Sequence, residues 1–203
     1  MFLLTQAGTV ASGSGFAQPC GAVAGQWVLP DNPCMRTATD SRVVRYANGS
    51  CSMGPVLLAW TSKGLCAALP GRDTDALLAD LQRRLPRATL QPGSSIHLSA
   101  MLAALDAPDA ALPFALDPQG TAFQVSVWQA LRHIPTGQTR TYAQLAQAIG
   151  KPAALRAVGS ACGANPIAVL VPCHRVLRSD GGLGGFHWGL ALKQHLLQRE
   201  AKT

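Results

Sequence analysis

The chain has 203 residues, 48% of them hydrophobic and 13% charged, with a formal net charge of +7. That length suffices for one large domain or two small ones, and the composition is too apolar for general disorder. No apolar run reaches the roughly 20 residues needed to cross a membrane, and Met1-Phe2-Leu3-Leu4 lacks the basic flank of a secretory signal, so a cytoplasmic protein is expected.

The charge is unevenly placed. Residues 1–120 carry eight Lys/Arg and eight Asp/Glu, whereas residues 121–203 carry nine Lys/Arg against Asp180 and Glu200. The whole excess sits in the C-terminal part, as suits a face turned toward a polyanion such as nucleic acid; charge alone fits a basic surface without a partner equally well. Glu200 is the sole glutamate. The six cysteines (Cys20, Cys34, Cys51, Cys66, Cys162 and Cys173) form no close pair. Neither a zinc cage nor a redox dithiol is therefore supported, and no metal or cofactor is expected.

Residues 1–41, rich in Gly, Ala, Ser, Thr and Pro, read as a flexible leader with too little apolar surface to offset its ordering entropy. Strands are expected over residues 43–46, 56–61 and 65–69, the last two joined by a turn at Ser62-Lys63-Gly64. Asp73 or Thr74 caps a helix with Leu77, Leu78, Leu81 and Leu85 at helical spacing, stopped by Pro86. Ser94 or Ser95 caps a second, with Leu98, Met101, Leu102 and Leu105 on one face. Residues 42–118 thus read as a small α/β unit.

Residues 119–203 read as mostly helical. Thr121 opens a helix with Phe123, Val127, Trp128 and Leu131 on one stripe, ending at Pro135-Thr136-Gly137. Thr141 caps a short helix over residues 142–149, closed by Gly150. Pro152 starts the next, through Ala154, Leu155, Val158 and Ala161 to Gly163. The pair forms a helix-turn-helix, a spacing that many small helix pairs share. A final helix covers residues 190–200.

Cys173 lies in Val171-Pro172-Cys173-His174-Arg175-Val176. A cysteine attacks only as thiolate, so it needs a proton acceptor. Adjacent side chains usually point apart, so a bridging water is the natural link between Cys173 and His174. Glu200 could fold back to orient the imidazole, as a carboxylate does in hydrolase triads. Without a fold, a neighbouring Cys and His are more often incidental than catalytic.

Here a resemblance adds what spacing does not. The motifs Gly120-Thr121-Ala122-Phe123-Gln124, Val127-Trp128, Ile134-Pro135, Thr141-Tyr142, Gly150-Lys151-Pro152 and Arg156-Ala157-Val158 are followed by Asn165-Pro166, Pro172-Cys173-His174-Arg175-Val176, Phe186 with Trp188-Gly189, and Arg199-Glu200. In order and spacing they resemble the O6-alkylguanine-DNA alkyltransferases, including the C-terminal half of the bacterial Ada proteins, over about four-fifths of the chain. The resemblance implies a ribonuclease H-like N-terminal α/β domain with a small antiparallel sheet, and a mostly α C-terminal domain with a winged helix-turn-helix-like unit.

It also implies a mechanism. Cys173 would accept an alkyl group from guanine O6, and from thymine O4, once per molecule and with no cofactor. His174 would act as base through a water, with Glu200 polarising it and Tyr142 supplying a proton or hydrogen bond to the departing purine. Asn165 would shape the hinge before the cysteine loop, a role compatible with a plain Asn-Pro turn. Arg156 would fill the stack vacated by a flipped base, the bland alternative being a phosphate contact. Lys151, Ala154, Ala157, Arg175 and Tyr142 would join it at duplex DNA, and Val176, Phe186, His187 and Trp188 would line the base pocket. A monomer is expected. The segment before Arg42 does not resemble the zinc-binding and regulatory modules of full Ada proteins, which counts against an Ada-type regulator. A lesion-binding relative without chemistry would lack the acceptor cysteine.

Overall fold

In the computed structural model, which describes residues 43–107 and 110–202, β1 (Val43–Cys51), β2 (Gly54–Trp60) and β3 (Leu65–Pro70) form an antiparallel meander. The leader expected over residues 1–41 lies outside the described residues. The meander is followed by α1 (Thr74–Arg84), whose N-cap Asp73 accepts from the backbone N–H of Asp75 and Ala76 at 3.0 and 3.1 Å. The chain then returns as β4 (Thr89–Pro92), which pairs parallel to β1 and completes a sheet of order β3-β2-β1-β4. This edge strand was not expected: four residues, one of them Pro92, carry no alternation to read.

Every residue of β2 from Val56 to Trp60 is buried, because both faces of the sheet are covered. Leu57 and Ala59 meet the α1 side with Val44, Leu69 and Leu81. Val56, Leu58 and Trp60 face a second cluster that continues through α2 (Leu98–Asp106) into the C-terminal helices. Full burial of each such side chain contributes about 1.5–3 kcal/mol. Helix α2 starts later than Ser94 or Ser95 would place it. Its N-cap is His97, and the Ser95 hydroxyl instead accepts from the His97 N–H at 3.1 Å in the preceding turn.

The C-terminal region begins with α3 (Ala122–Arg132), opened by a reciprocal capping box between Thr121 and Gln124. Its Trp128 Nε1 donates to Ala161 O at 2.8 Å, tying it to the helix pair. The pair is α4 (Tyr142–Ala148), with a second capping box at Thr141 and Gln144, and α5 (Leu155–Gly163). Gly150, at φ +69°, ends α4 in a Schellman arrangement, with Lys151 N donating to Ala146 O and Gly150 N to Gln147 O, each at 2.9 Å. Pro152 does not begin α5. Residues 151–154 close a turn through Ala154 N to Lys151 O (2.9 Å), and the helix starts at Leu155. A two-residue strand, β5 (Arg140–Thr141), pairs parallel with β6 (Val176–Leu177), and α6 (Leu190–Glu200) ends the fold.

The two regions are joined through backbone. Ala68 of β3 donates to Pro166 O at 2.9 Å and accepts from Ala168 N at 3.0 Å, so the sheet edge zips onto the loop leading to Cys173.

Candidate active site

Cys173 opens a single 3-10 turn, Cys173–Arg175, after Pro172. The residue is 5% exposed and lies on an open cleft of about 1050 Å³, lined also by Tyr142, Arg156, Cys162, Arg178 and Phe186. The fully buried Asn165 sets the loop: its Nδ2 donates to Val171 O at 2.7 Å and to Cys173 Sγ at 3.2 Å, while its Oδ1 accepts from Ile167 N at 3.0 Å. Burial pushes the Cys173 thiol up to about 11, against the Asn165 hydrogen bond and the positive charge of Lys193. The thiol is thus protonated at rest and needs a base to become a nucleophile.

His174 is fully buried beside it, with Nε2 2.7 Å from Glu200 Oε1. The same carboxylate accepts from Arg175 Nε at 2.9 Å and from Arg175 Nη2 at 2.9 Å. Burial opposes the Glu200 charge, but the hydrogen bonds from His174 and Arg175 prevail and hold its carboxyl down at about 2. An ionised carboxylate at Nε2 assigns the ring proton to that nitrogen. Nδ1 is then the unprotonated one, and it is buried with no hydrogen-bond partner among the described residues. Burial lowers the His174 pKa, although Glu200 pulls the other way, so the imidazole rests neutral with a free lone pair. Tyr142 lies half-buried in the cleft. Burial raises its pKa, followed by the nearby thiols, which keeps its hydroxyl protonated.

Sequence reasoning brought together Cys173, His174, Glu200, Asn165 and Tyr142, and the fold brings them together too. Arg156 and Ala157 are exposed at the start of α5, Ala154 is half-buried just before it, and Lys151 holds its Nζ 5.3 Å from the centre of the Phe123 ring. Arg175 is a correction. Expected at DNA, it is 3% exposed and points inward, bonding Glu200, Ile134 O at 2.6 Å and Thr136 Oγ1 at 2.7 Å. It is the structural counter-ion of Glu200. Of the four expected pocket residues, Phe186 lines the cleft and three do not. His187 turns to α1, its Nε2 lying 2.8 Å from Arg84 Nη2 and 3.4 Å from Asp80 Oδ2. Trp188 packs against both core clusters, and fully buried Val176 gives its carbonyl to Lys193 Nζ at 2.6 Å. Among the described residues no group of three or more His, Cys, Asp or Glu is placed to hold a metal ion.

Comparison with known proteins decides the family. Residues 122–202 match the family described as 6-O-methylguanine DNA methyltransferase, DNA binding domain. A methylated-DNA–protein-cysteine methyltransferase of Methanosarcina barkeri is 42% identical over 151 residues, covering 73% of this chain and 91% of the relative. The chain belongs to the methylated-DNA–protein-cysteine methyltransferase family. The Escherichia coli bifunctional transcriptional activator/DNA repair enzyme Ada is 47% identical over 171 residues, 83% of this chain, but the chain spans only 48% of that relative's length. A crystal structure of Mycobacterium tuberculosis OGT in complex with DNA is 36% identical, with a TM-score of 0.62, covering 79% of this chain and 93% of that one. Two residues were missed by sequence reasoning: Arg84 of α1, whose Nη1 donates to Ala164 O and Asn165 O, and Lys193 of α6, fully buried with its Nζ donating to Val176 O.

Proposed function

We propose that the chain repairs alkylated duplex DNA by moving the alkyl group of O6-alkylguanine, or of O4-alkylthymine, irreversibly onto Cys173 Sγ. The observation that carries this reading is the Cys173–His174–Glu200 arrangement at the cleft, with Asn165 donating to the sulfur. His174 Nδ1 takes the thiol proton through one water. The sulfur lone pair forms the S–C bond as the C–O6 bond breaks. The electron pair leaves with the purine, which the Tyr142 hydroxyl protonates or hydrogen-bonds. The product is a thioether, so each molecule acts once. Because the lesion begins inside a duplex, it must be flipped into the cleft. Arg156, exposed on the first turn of α5, occupies the gap from the minor groove, where sequence is poorly read. In this reading residues 119–203 do the chemistry and residues 42–118 brace it, in a monomeric cytoplasmic protein; no helix among the described residues is long and apolar enough to cross a membrane.

Equimolar protein and methylated-guanine duplex should give a gain of one methylene, about 14 Da, on the Cys173 peptide by mass spectrometry. Cys173→Ala should abolish the gain while keeping DNA binding, and persistent transfer would remove Cys173 from the role. Arg156→Ala should slow repair of duplex far more than of a free base; equal losses would count against base extrusion. Affinity should fall steeply with salt as phosphate contacts release counterions.

A further inference from the structure

Helix α6 presents Lys193, Leu196 and Glu200 inward, spaced by three and four residues on one stripe. Leu196 is ordinary core and Glu200 orients His174. Lys193 has no such account. Its side chain is fully buried, and isolating an ammonium from water costs several kcal/mol, so a methionine or leucine would serve packing better.

Its bonds show what it holds. Lys193 Nζ donates to Val176 O at 2.6 Å and also to Leu183 O. These two carbonyls flank a turn closed by Arg178 N to Gly182 O at 2.8 Å. Arg178, Ser179 and residues 182–186 of that segment line the same cleft as Cys173. One ammonium therefore fastens both ends of a cleft wall to the helix that carries Glu200. The ionisable groups around Cys173 are His174 beside it, Cys162 on α5, Tyr142 on α4, Arg178 on the wall and Lys193 on α6, with the Glu200–Arg175 pair behind His174. Among the groups that act on the sulfur, Lys193 is the buried cation, and in return the two thiols act on it.

We propose that Lys193 is a positioning residue for alkyl transfer, its buried ammonium fastening the 176–183 wall of the cleft and supplying the positive potential that favours the Cys173 thiolate. The proposal rests on the reading of Cys173 as acceptor.

The test uses the full chain as wild type, Lys193→Met and Lys193→Arg. Alkylation of Cys173 by iodoacetamide is followed against pH, with the site read by mass spectrometry so that Cys162 is counted separately. Single-turnover methyl transfer from methylated duplex is measured beside it. Lys193→Met should move the Cys173 midpoint up by about one pH unit, a tenfold loss of thiolate at neutral pH, and slow transfer by at least that factor. Lys193→Arg should restore the midpoint more than the transfer rate, because a guanidinium keeps the charge but not the two-carbonyl grip. A cooperatively folded Lys193→Met protein with the wild-type midpoint and rate would overturn the proposal. Should that variant not fold, the Lys193 Nζ resonance of the wild type decides: it should shift as Cys173 titrates and lose that step in Cys173→Ser, whereas a resonance blind to Cys173 overturns the electrostatic role. Wild-type protein that reacts with iodoacetamide but takes no methyl from DNA would instead defeat the acceptor reading.

Discussion

The sheet region and the C-terminal region both bury long apolar stretches, but they differ in what else lies inside. Within residues 43–106 the buried polar residue is Thr61, which donates to Asp117 at 2.6 Å; within residues 121–200 they are Asn165, His174, Arg175, Lys193 and Glu200. The first region is stabilised by packing, which tolerates swaps of similar volume. The second contains groups that satisfy one another, so losing one strands its partners. The regions meet where β3 zips onto residues 166–168. Arg84 of α1 adds to that seam, with Nη1 donating to Ala164 O at 3.0 Å and Asn165 O at 3.4 Å. Packing in one half thereby aims the hinge asparagine of the other.

The contrast can be broken at four places. Glu200→Gln should have the largest effect, leaving Arg175 buried without its carboxylate. A stability loss of about 3–5 kcal/mol is expected in denaturant melts, with transfer slowed roughly 100-fold or more. Its pH signature has a definite sign. The folded Glu200 pKa, about 2, lies below the unfolded value, so its stabilisation is complete above the unfolded pKa and fades as pH falls toward 2. The gap between wild type and variant should close on acidification, and a constant gap would contradict the ion-pair account. Next, Leu58→Ala, at a fully buried β2 position, should cost about 2–5 kcal/mol yet leave the transfer rate per folded molecule unchanged. A large rate loss there would erase the division of labour. Arg84→Ala should fall between, at about 1–3 kcal/mol with a few-fold slower transfer, because it alone of the α1 side chains grips the hinge carbonyls. Last, Ile96→Ser, at a position 93% exposed, should stay within about 0.5 kcal/mol and leave the rate intact.

What could be read from sequence follows the reach of each interaction. The caps at Asp73, Thr121 and Thr141 are local hydrogen bonds between residues two or three apart, so the helices they start were legible. The strands β4, β5 and β6 exist only through distant partners and were not, apart from the general expectation of a sheet. Arg175 was expected at DNA from the family resemblance, and nothing local in the sequence says that it is buried. Only the folded chain brings Glu200 within reach, 25 residues away, and turns it inward. His187 is drawn off the cleft by Asp80 and Arg84, each over a hundred residues earlier. Lys193 had a signal that went unused: it shares a helical stripe with Leu196 and Glu200, and a lysine on a buried stripe demands a reason.

Val169, between the hinge and Cys173, has φ +67° and is 1% exposed. A β-branched residue in that conformation carries strain of order 1–3 kcal/mol, tolerated because its neighbours overdetermine it. Glycine would relax the backbone but leave a hole and loosen the unfolded chain; most other residues would keep the strain and lose the fit. Sequence drift in this chain should therefore be slowest not at its exposed basic surface but along a loop whose valine lies off the cleft, and a library of random substitutions should show residues 165–176 as its emptiest stretch of survivors.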